Sequence, residues 1–335
     1  MATISSWYAS NLRRELGARN RLWAHGRAHV ESYGDPPVIV YPPHELRHGN
    51  FFDASYSAIS DNPEWLRRFD KIHAQGRALP IAESGRRWRE LDSSMSSDAL
   101  LMNAFCAPAA RDSPILRNTL GIDHAAEPIF GWKARVPLAC GRFDRTEVDM
   151  RWGSLLVEAK LTESDFQTRA ANIVEGYRDF DAVFHRDLLP RAELRTSRRR
   201  TAVEFAEDFT QEWEEPAPDS EIAQQFQQAI VARARNSEPS EPGYQGYQLI
   251  RNVLAAHAEA CSFCVLHDER RPDLREAWFA VMAAVRPADL RTRCQVLTWQ
   301  ELAPLLPEDL QDFLDLKYGI VSAGRISSLS SDFLP

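Results

Sequence analysis

The chain has 335 residues, 44% hydrophobic and 26% charged, the balance of an ordinary soluble globular protein. No apolar run approaches the ~20 residues needed to cross a bilayer, and the opening MATISSWYASNLRRELGARN has no apolar signal core, so a soluble, cytoplasmic protein with no membrane partner is expected. The net charge of −8 argues against a broadly basic nucleic-acid coat but leaves room for a local basic groove.

Cys106, Cys140, Cys261, Cys264 and Cys294 form an odd, sparse set. Free thiols in a reducing compartment fit this better than a disulfide framework. Nearly all positive charge is arginine, because lysine occurs only at Lys71, Lys133, Lys160 and Lys317. Basic clusters at Arg86, Arg87 and Arg89, and at Arg195, Arg198, Arg199 and Arg200, read first as solvated faces.

In chain order, residues 5–30 read as a helix, with Trp7, Leu12, Leu16 and Leu22 set among arginines. Residues 31–62 look irregular, punctuated by Gly34, Pro36, Pro37, Pro42, Pro43 and Gly49. A short helix is expected over 63–75, with Pro63 in its first turn after Asn62. Residues 93–106 read as a helix capped by Ser96 or Ser97. Strands follow at 128–139, 146–151 and 154–161, then a helix within 163–187. An acidic loop at 206–221, a helix at 221–234 and a polar break, NSEPSEPG, lead to a strong helix at 244–260. Strand 261–267, helix 273–285, strand 294–298 and helical 299–318 complete a mixed α/β pattern.

The chemistry gathers in Thr146 to Phe166, TEVDMRWGSLLVEAKLTESDF. Gly153-Ser154 suits a two-residue type II′ hairpin turn. That turn sets Asp149 opposite Glu158 and Glu147 opposite Lys160. Opposed residues share a sheet face, so these four charges are expected on one side. Val148, Met150, Leu155, Val157, Ala159 and Leu161 make the apolar other side. Three carboxylates crowded against one ammonium raise one another's pKa values or call for a cation. A divalent ion with oxygen ligands answers that need. A solvent-facing hairpin with cross-strand ion pairs is the other reading of the same charges.

The motif D-x8-E-A-K, Asp149 through Lys160, resembles the PD-(D/E)XK nuclease signature. The phrases EVD and LVEAKLTESDF resemble more closely a bacterial family of restriction-endonuclease-like proteins. So do SSDALLMNAF upstream, YQLIRNVLAAH (Tyr247 to His257), VLTWQELAPLL and FLDLKYGI downstream, so the likeness spans roughly residues 90–320. The resemblance implies a restriction-endonuclease-like core sheet flanked by helices, with residues 1–85 as an N-terminal extension, 86–320 as the nuclease-like domain and 321–335 as a tail. It implies Mg2+ or Mn2+ bound by Asp149 and Glu158, with Lys160 assisting catalysis on a DNA substrate. Ser97, Asn103, Arg251 and Asn252 are implied substrate contacts, and Glu147 and Gln248 auxiliary ones. Many superfamily members also carry an acidic residue on the helix before the hairpin. Glu90 is the first choice here, ahead of Glu83 and Glu127. Position 98 is Asp where the family pattern has Gln, and Val148 stands where the signature has Pro.

On helix 244–260, Gln245, Gln248 and Asn252 share a polar face, which suits either a phosphate contact or an ordinary amphipathic helix. His257, Cys261, Cys264 and His267 contain a Cys-x2-Cys spacing, but a strand there would point the two cysteines to opposite faces. No P-loop and no G-x-S-x-G elbow occurs. The expected function is thus a metal-dependent DNA nuclease of restriction or defence type, dimeric if each chain brings one site to a double-strand cut. The alternatives are a non-catalytic module serving a partner protein and an RNA-directed nuclease.

Overall fold

The computed structural model describes residues 4–33, 37–44, 47–72, 88–122, 126–195 and 240–321. At its centre is a five-stranded mixed sheet. Its strands are β1 (Pro128–Lys133), β2 (Glu147–Trp152), β3 (Leu155–Ala159), β4 (Ser262–His267) and β5 (Cys294–Thr298). They lie in the order β5-β4-β3-β2-β1. β1, β2 and β3 pair antiparallel, while β3, β4 and β5 run parallel.

Helices cover both faces, as a sheet with parallel strands requires. The first face carries Met150, Trp152, Leu155, Val157 and Leu266. It packs on α1 (Ile4–Ala24), α2 (Asp53–Asp61), α3 (Ser97–Cys106) and, through Leu310 and Leu314, on α6 (Glu308–Tyr318). The second face carries Leu156, Phe263 and Val265. It packs on α4 (Tyr247–Ala258) and α5 (Pro272–Met282). Leu12, Leu16 and Ile59 belong to the same core as the sheet, so the N-terminal segment is built into the molecule. Among the described residues, no helix is long and apolar enough to cross a membrane.

The hairpin keeps the expected register. Met150 pairs with Val157, Arg151 with Leu156 and Trp152 with Leu155. Gly153 has φ +60 and Ser154 does not share that region, the backbone pattern a type II′ turn needs. Ser96 caps α3 through Oγ, which accepts from the Ala99 N–H at 3.1 Å.

Four expectations need correction. The segment read as irregular, 31–62, contains α2 and a short ribbon joining Val30–Glu31 to Ile39–Val40. α2 has few apolar residues of its own and is fixed by docking on α3: the Phe52 N–H donates to Asn103 Oδ1 at 2.7 Å and Ser55 Oγ to the Asn103 carbonyl at 2.7 Å. The strand expected over 128–139 stops at Lys133, and Val136–Pro137 pairs with Phe143–Asp144. The helix expected within 163–187 is a strand, Thr168–Ala170, followed by single helical turns at Ala171–Val174 and Phe180–Val183. Gln167, at φ +61, turns the chain, and the strand is claimed by Ser240–Gln245, so tertiary pairing overrides local propensity. That partner strand replaces the end of the expected polar break, in the middle of a three-stranded sheet with Arg191–Arg195. The loop and helix expected over 206–234 and the tail from 322 lie outside the described residues.

Gly153→Ala puts a Cβ on a residue at φ +60. The expected cost is about 1 kcal/mol or more, read as a lower denaturation midpoint at unchanged m-value.

Candidate active site

Past Met150 the hairpin stops being a ladder. Asp149 Oδ2 accepts the backbone N–H of Ala159 at 2.8 Å, so a side chain takes a donor that faces the neighbouring strand. On the other flank, β1 and β2 pair at Phe130–Met150 and Trp132–Val148 but skip Gly131, which lies opposite Asp149. Gly131 has φ +67, a conformation that favours glycine. The kink turns the lower part of β2. Val148, expected on the face of Met150, packs instead with Leu156 in the second core.

The four charges therefore do not share one face, although the register is as expected. Glu158 and Lys160 turn toward α4. Lys160 Nζ donates to Glu158 Oε1 at 2.6 Å, and Asn252 Nδ2 to Glu158 Oε2 at 2.8 Å. The ammonium lies 5.7 Å from the centre of the Phe166 ring. Glu147 turns away, to Arg68, whose Nη1 is 3.1 Å from its Oε2. The same guanidinium places Nη2 2.9 Å from Asp98 Oδ2, which also receives Lys71 Nζ at 3.0 Å.

The two groups adjoin at Asp149. Its pKa is driven well above the ordinary aspartate range by burial, by Glu158 and by Asp98, against the opposing pull of Lys160. Burial works against charge on Lys160, yet Glu158, Glu163 and Asp149 hold its pKa above the usual lysine value. Asp98 goes the other way: burial disfavours its charge, and Lys71 and Arg68 more than offset that and hold its carboxyl low. Removing one partner of such a buried pair costs about 3–5 kcal/mol.

Asp98, on α3, is the acidic side chain upstream of the hairpin whose charge acts on Asp149. Glu90, the first choice from the sequence, lies in a short 3-10 turn, Glu90–Asp92, ahead of α3. The charges acting on Asp149 come from Glu158, Asp98 and Lys160. Glu127 pairs with Arg111, and Glu83 lies outside the described residues. The one clue in the sequence was the departure itself, an Asp where the family pattern has Gln.

Ser97 sits at the margin of the site: its Oγ donates to Glu163 Oε1, and Glu163 Oε2 accepts the Leu161 N–H at 2.7 Å. Gln248 lies one turn before Asn252 on α4, and its N–H donates to the Phe166 carbonyl at 3.0 Å. Two expected substrate contacts are committed elsewhere. Asn103 is fully buried, and its amide binds the Asn50 and Ala99 carbonyls at 3.1 and 2.8 Å besides the Phe52 N–H. Arg251 is 2% exposed and pairs with Asp144 at 3.3 Å, while Nη1 donates to Asn252 Oδ1 at 3.0 Å. It works from behind, turning the Asn252 amide so that its N–H2 meets Glu158.

A model of the family described as restriction endonuclease associating with ARP matches residues 19–319. The chain belongs to this restriction-endonuclease family. No curated protein and no solved structure matches it. For a member of this family a nuclease-like role is indicated, and the match takes in α3, the hairpin, α4 and α6.

The donors present fit a hard divalent cation. Asp149 and Glu158 are like-charged neighbours whose repulsion already lifts the Asp149 pKa, and a cation relieves that strain. Among the described residues, no three His, Cys, Asp or Glu side chains form a ready-made ion cage. Mg2+ commonly takes only one or two carboxylates and fills its shell with water and substrate phosphate. The Cys-x2-Cys spacing gives no zinc site: Cys261 faces the second core and Cys264 the first.

Two outcomes follow from these charges. Asp149 has a folded-state pKa above its unfolded value, so its contribution is favourable only at low pH and is lost as pH rises. Asp149→Asn keeps an acceptor for the Ala159 N–H, and in chelator at pH 7.5 it is expected to melt higher than the parent. A lower melting temperature would contradict this. Asp144 shows the opposite sign: burial opposes its charge, but Arg251 and hydrogen bonds from Thr146 and Tyr177 hold its pKa below the ordinary range. Its contribution is complete above the unfolded value of about 3.9 and is lost as pH falls through the lower folded value. The stability gap between parent and Asp144→Asn is expected to narrow between pH 7 and pH 3 in guanidinium titrations.

Proposed function

We propose that the chain is a metal-dependent nuclease that hydrolyses phosphodiester bonds of DNA, acting as an endonuclease of restriction or defence type. The observation that carries this reading is the Asp149–Glu158–Lys160 cluster at the open end of the hairpin, in a chain of a restriction-endonuclease family. Asp149 and Glu158 would hold Mg2+ or Mn2+. Such an ion supplies Lewis-acid polarisation of the phosphate and the charge that makes water nucleophilic at neutral pH.

Glu158 can serve although both its oxygens are engaged, since each carboxylate oxygen keeps a second lone pair. Asn252, backed by Arg251, fixes the plane of that carboxylate. Lys160 carries its proton at neutral pH, because Glu158, Glu163 and Asp149 raise its pKa. It therefore acts as a hydrogen-bond donor rather than a base, orienting the attacking water and stabilising charge on the phosphate. The Phe166 ring and the Glu158 contact limit where its ammonium can go. Ser97 and Gln248 would meet the flanking backbone of the substrate.

Incubating the purified chain with Mg2+ and plasmid, single-stranded DNA or matched RNA tests the reading. DNA cleavage is expected to require the ion, to weaken with salt, and to fall at least about 100-fold in Lys160→Ala and Asp149→Ala. Equal cleavage by parent and variants would sink the assignment. Cleavage of RNA alone would move the substrate, and a chain that neither cleaves nor binds Mn2+ but captures a protein would be a non-catalytic module.

A further inference from the structure

β3 ends at Ala159, and the residues that follow Lys160, Leu161 to Ser164, form no regular element. Their backbone groups still need partners. The Lys160 N–H donates to the Leu266 carbonyl of β4 at 2.8 Å, and Trp299 Nε1–H to the Lys160 carbonyl at 3.3 Å. Arg13 of α1 donates to the Thr162 carbonyl at 2.7 Å. The carbonyls of Leu161, Glu163 and Ser164 all go to one side chain, Arg271. Its Nη1 donates to the first two at 3.4 and 2.6 Å, and its Nη2 to the third at 3.0 Å.

Arg271 stands in the turn that joins β4 to α5, and its N–H donates to the Asp268 carbonyl at 2.9 Å. The side chain is fully buried, where an unpaired cation is costly. Asp273 supplies the counter-charge, accepting from Nε at 2.9 Å and Nη2 at 2.8 Å. This two-point pairing fixes the plane of the guanidinium and aims its other donors at the loop. Each of the fork's five N–H groups thus has its own acceptor. A lysine ammonium has three donors and no plane, so it cannot reproduce this set. The loop matters at both its ends. It starts from Lys160, whose ammonium donates to Glu158, and it leads to Phe166, whose ring lies 5.7 Å from that ammonium.

We propose that Arg271 is a positioning residue for phosphodiester cleavage, holding the loop after Lys160 in the shape that sets the ammonium between Glu158 and Phe166. This rests on the nuclease reading of the site. None of the five bonds goes to the side chain of Asp149, Glu158 or Lys160. Loss of the fork therefore reaches the reaction through the placement of Lys160, and the two carboxylates stay where they are. A shift of about 1 Å at a reacting group can cost about 100-fold in rate.

Three measurements on the intact chain test this: steady-state cleavage of DNA with Mg2+, calorimetric titration with Mn2+ in the absence of DNA, and thermal melting. The variants are Arg271→Gln and Arg271→Lys, the second keeping the charge opposite Asp273 while losing the fork. For both, kcat is expected to fall about 10- to 100-fold, with KM for DNA and the affinity for Mn2+ within about twofold of the parent. Should Arg271→Gln fail to fold, Arg271→Lys carries the same expectation. A merely structural role would lower the melting temperature and leave kcat of the folded variants at the parent's value, which overturns the inference while the nuclease reading stands. A fall in kcat matched by an equal loss of Mn2+ affinity also overturns it, because the damage then lies at the carboxylates. A parent that cleaves no DNA removes the nuclease reading and this inference with it.

Discussion

The hydrogen bond from the Ala159 N–H to the Asp149 carboxylate is where the molecule changes from scaffold to site. Toward the turn, β2 and β3 form a regular ladder whose apolar residues are sealed between two layers of helices. Beyond it, the strands part. The parting gives Asp149 a place between two sets of neighbours, Glu158 and Lys160 on one side and Asp98 with Arg68 on the other. A fully laddered hairpin would present its charges in a row on one face. The open end instead gathers them from α3, α4, the hairpin and the segment after α2.

Satisfying these charges takes many partners. Lys160 and Asn252 serve Glu158, Arg251 steadies Asn252, and Asp144 neutralises Arg251. Each link leaves few polar groups idle in a poorly solvated place, where an unpaired one is costly. Asp149 is the exception: burial first, then Glu158 and Asp98, disfavour its charge against the pull of Lys160. A carboxylate whose charge is disfavoured in this way costs the fold stability, and under the proposed function a divalent cation would relieve it.

Much of this was legible from the residues. Alternation around Gly153-Ser154 fixed the hairpin register, and Ser96 marked the start of α3, because turn and cap chemistry are local. The side on which Glu147 ends was not legible. It depends on a kink at Gly131 and on Arg68, which is 79 residues from Glu147 in sequence. Asn103 and Arg251 looked like substrate contacts because polar residues on helices resembling those of nucleases invite that reading. Burial shows that one holds α2 and the other holds Asn252, and sequence spacing carries no measure of burial. The segment 163–187 failed for a related reason: its local preference is helical, but a strand some 70 residues later claims it.

The first and last helices bear on this site together. Arg13 of α1 donates to the Thr162 carbonyl at 2.7 Å, bracing the loop that follows Lys160. Asn20 of α1 accepts from the buried Lys317 of α6 at 2.7 Å. The loop is thus held by a helix that is itself clasped by residues translated almost 300 positions later. A growing chain would carry the acidic motif long before it could brace it. Under the proposed function, a chain still being synthesised would hold the acidic motif without the brace that α6 completes.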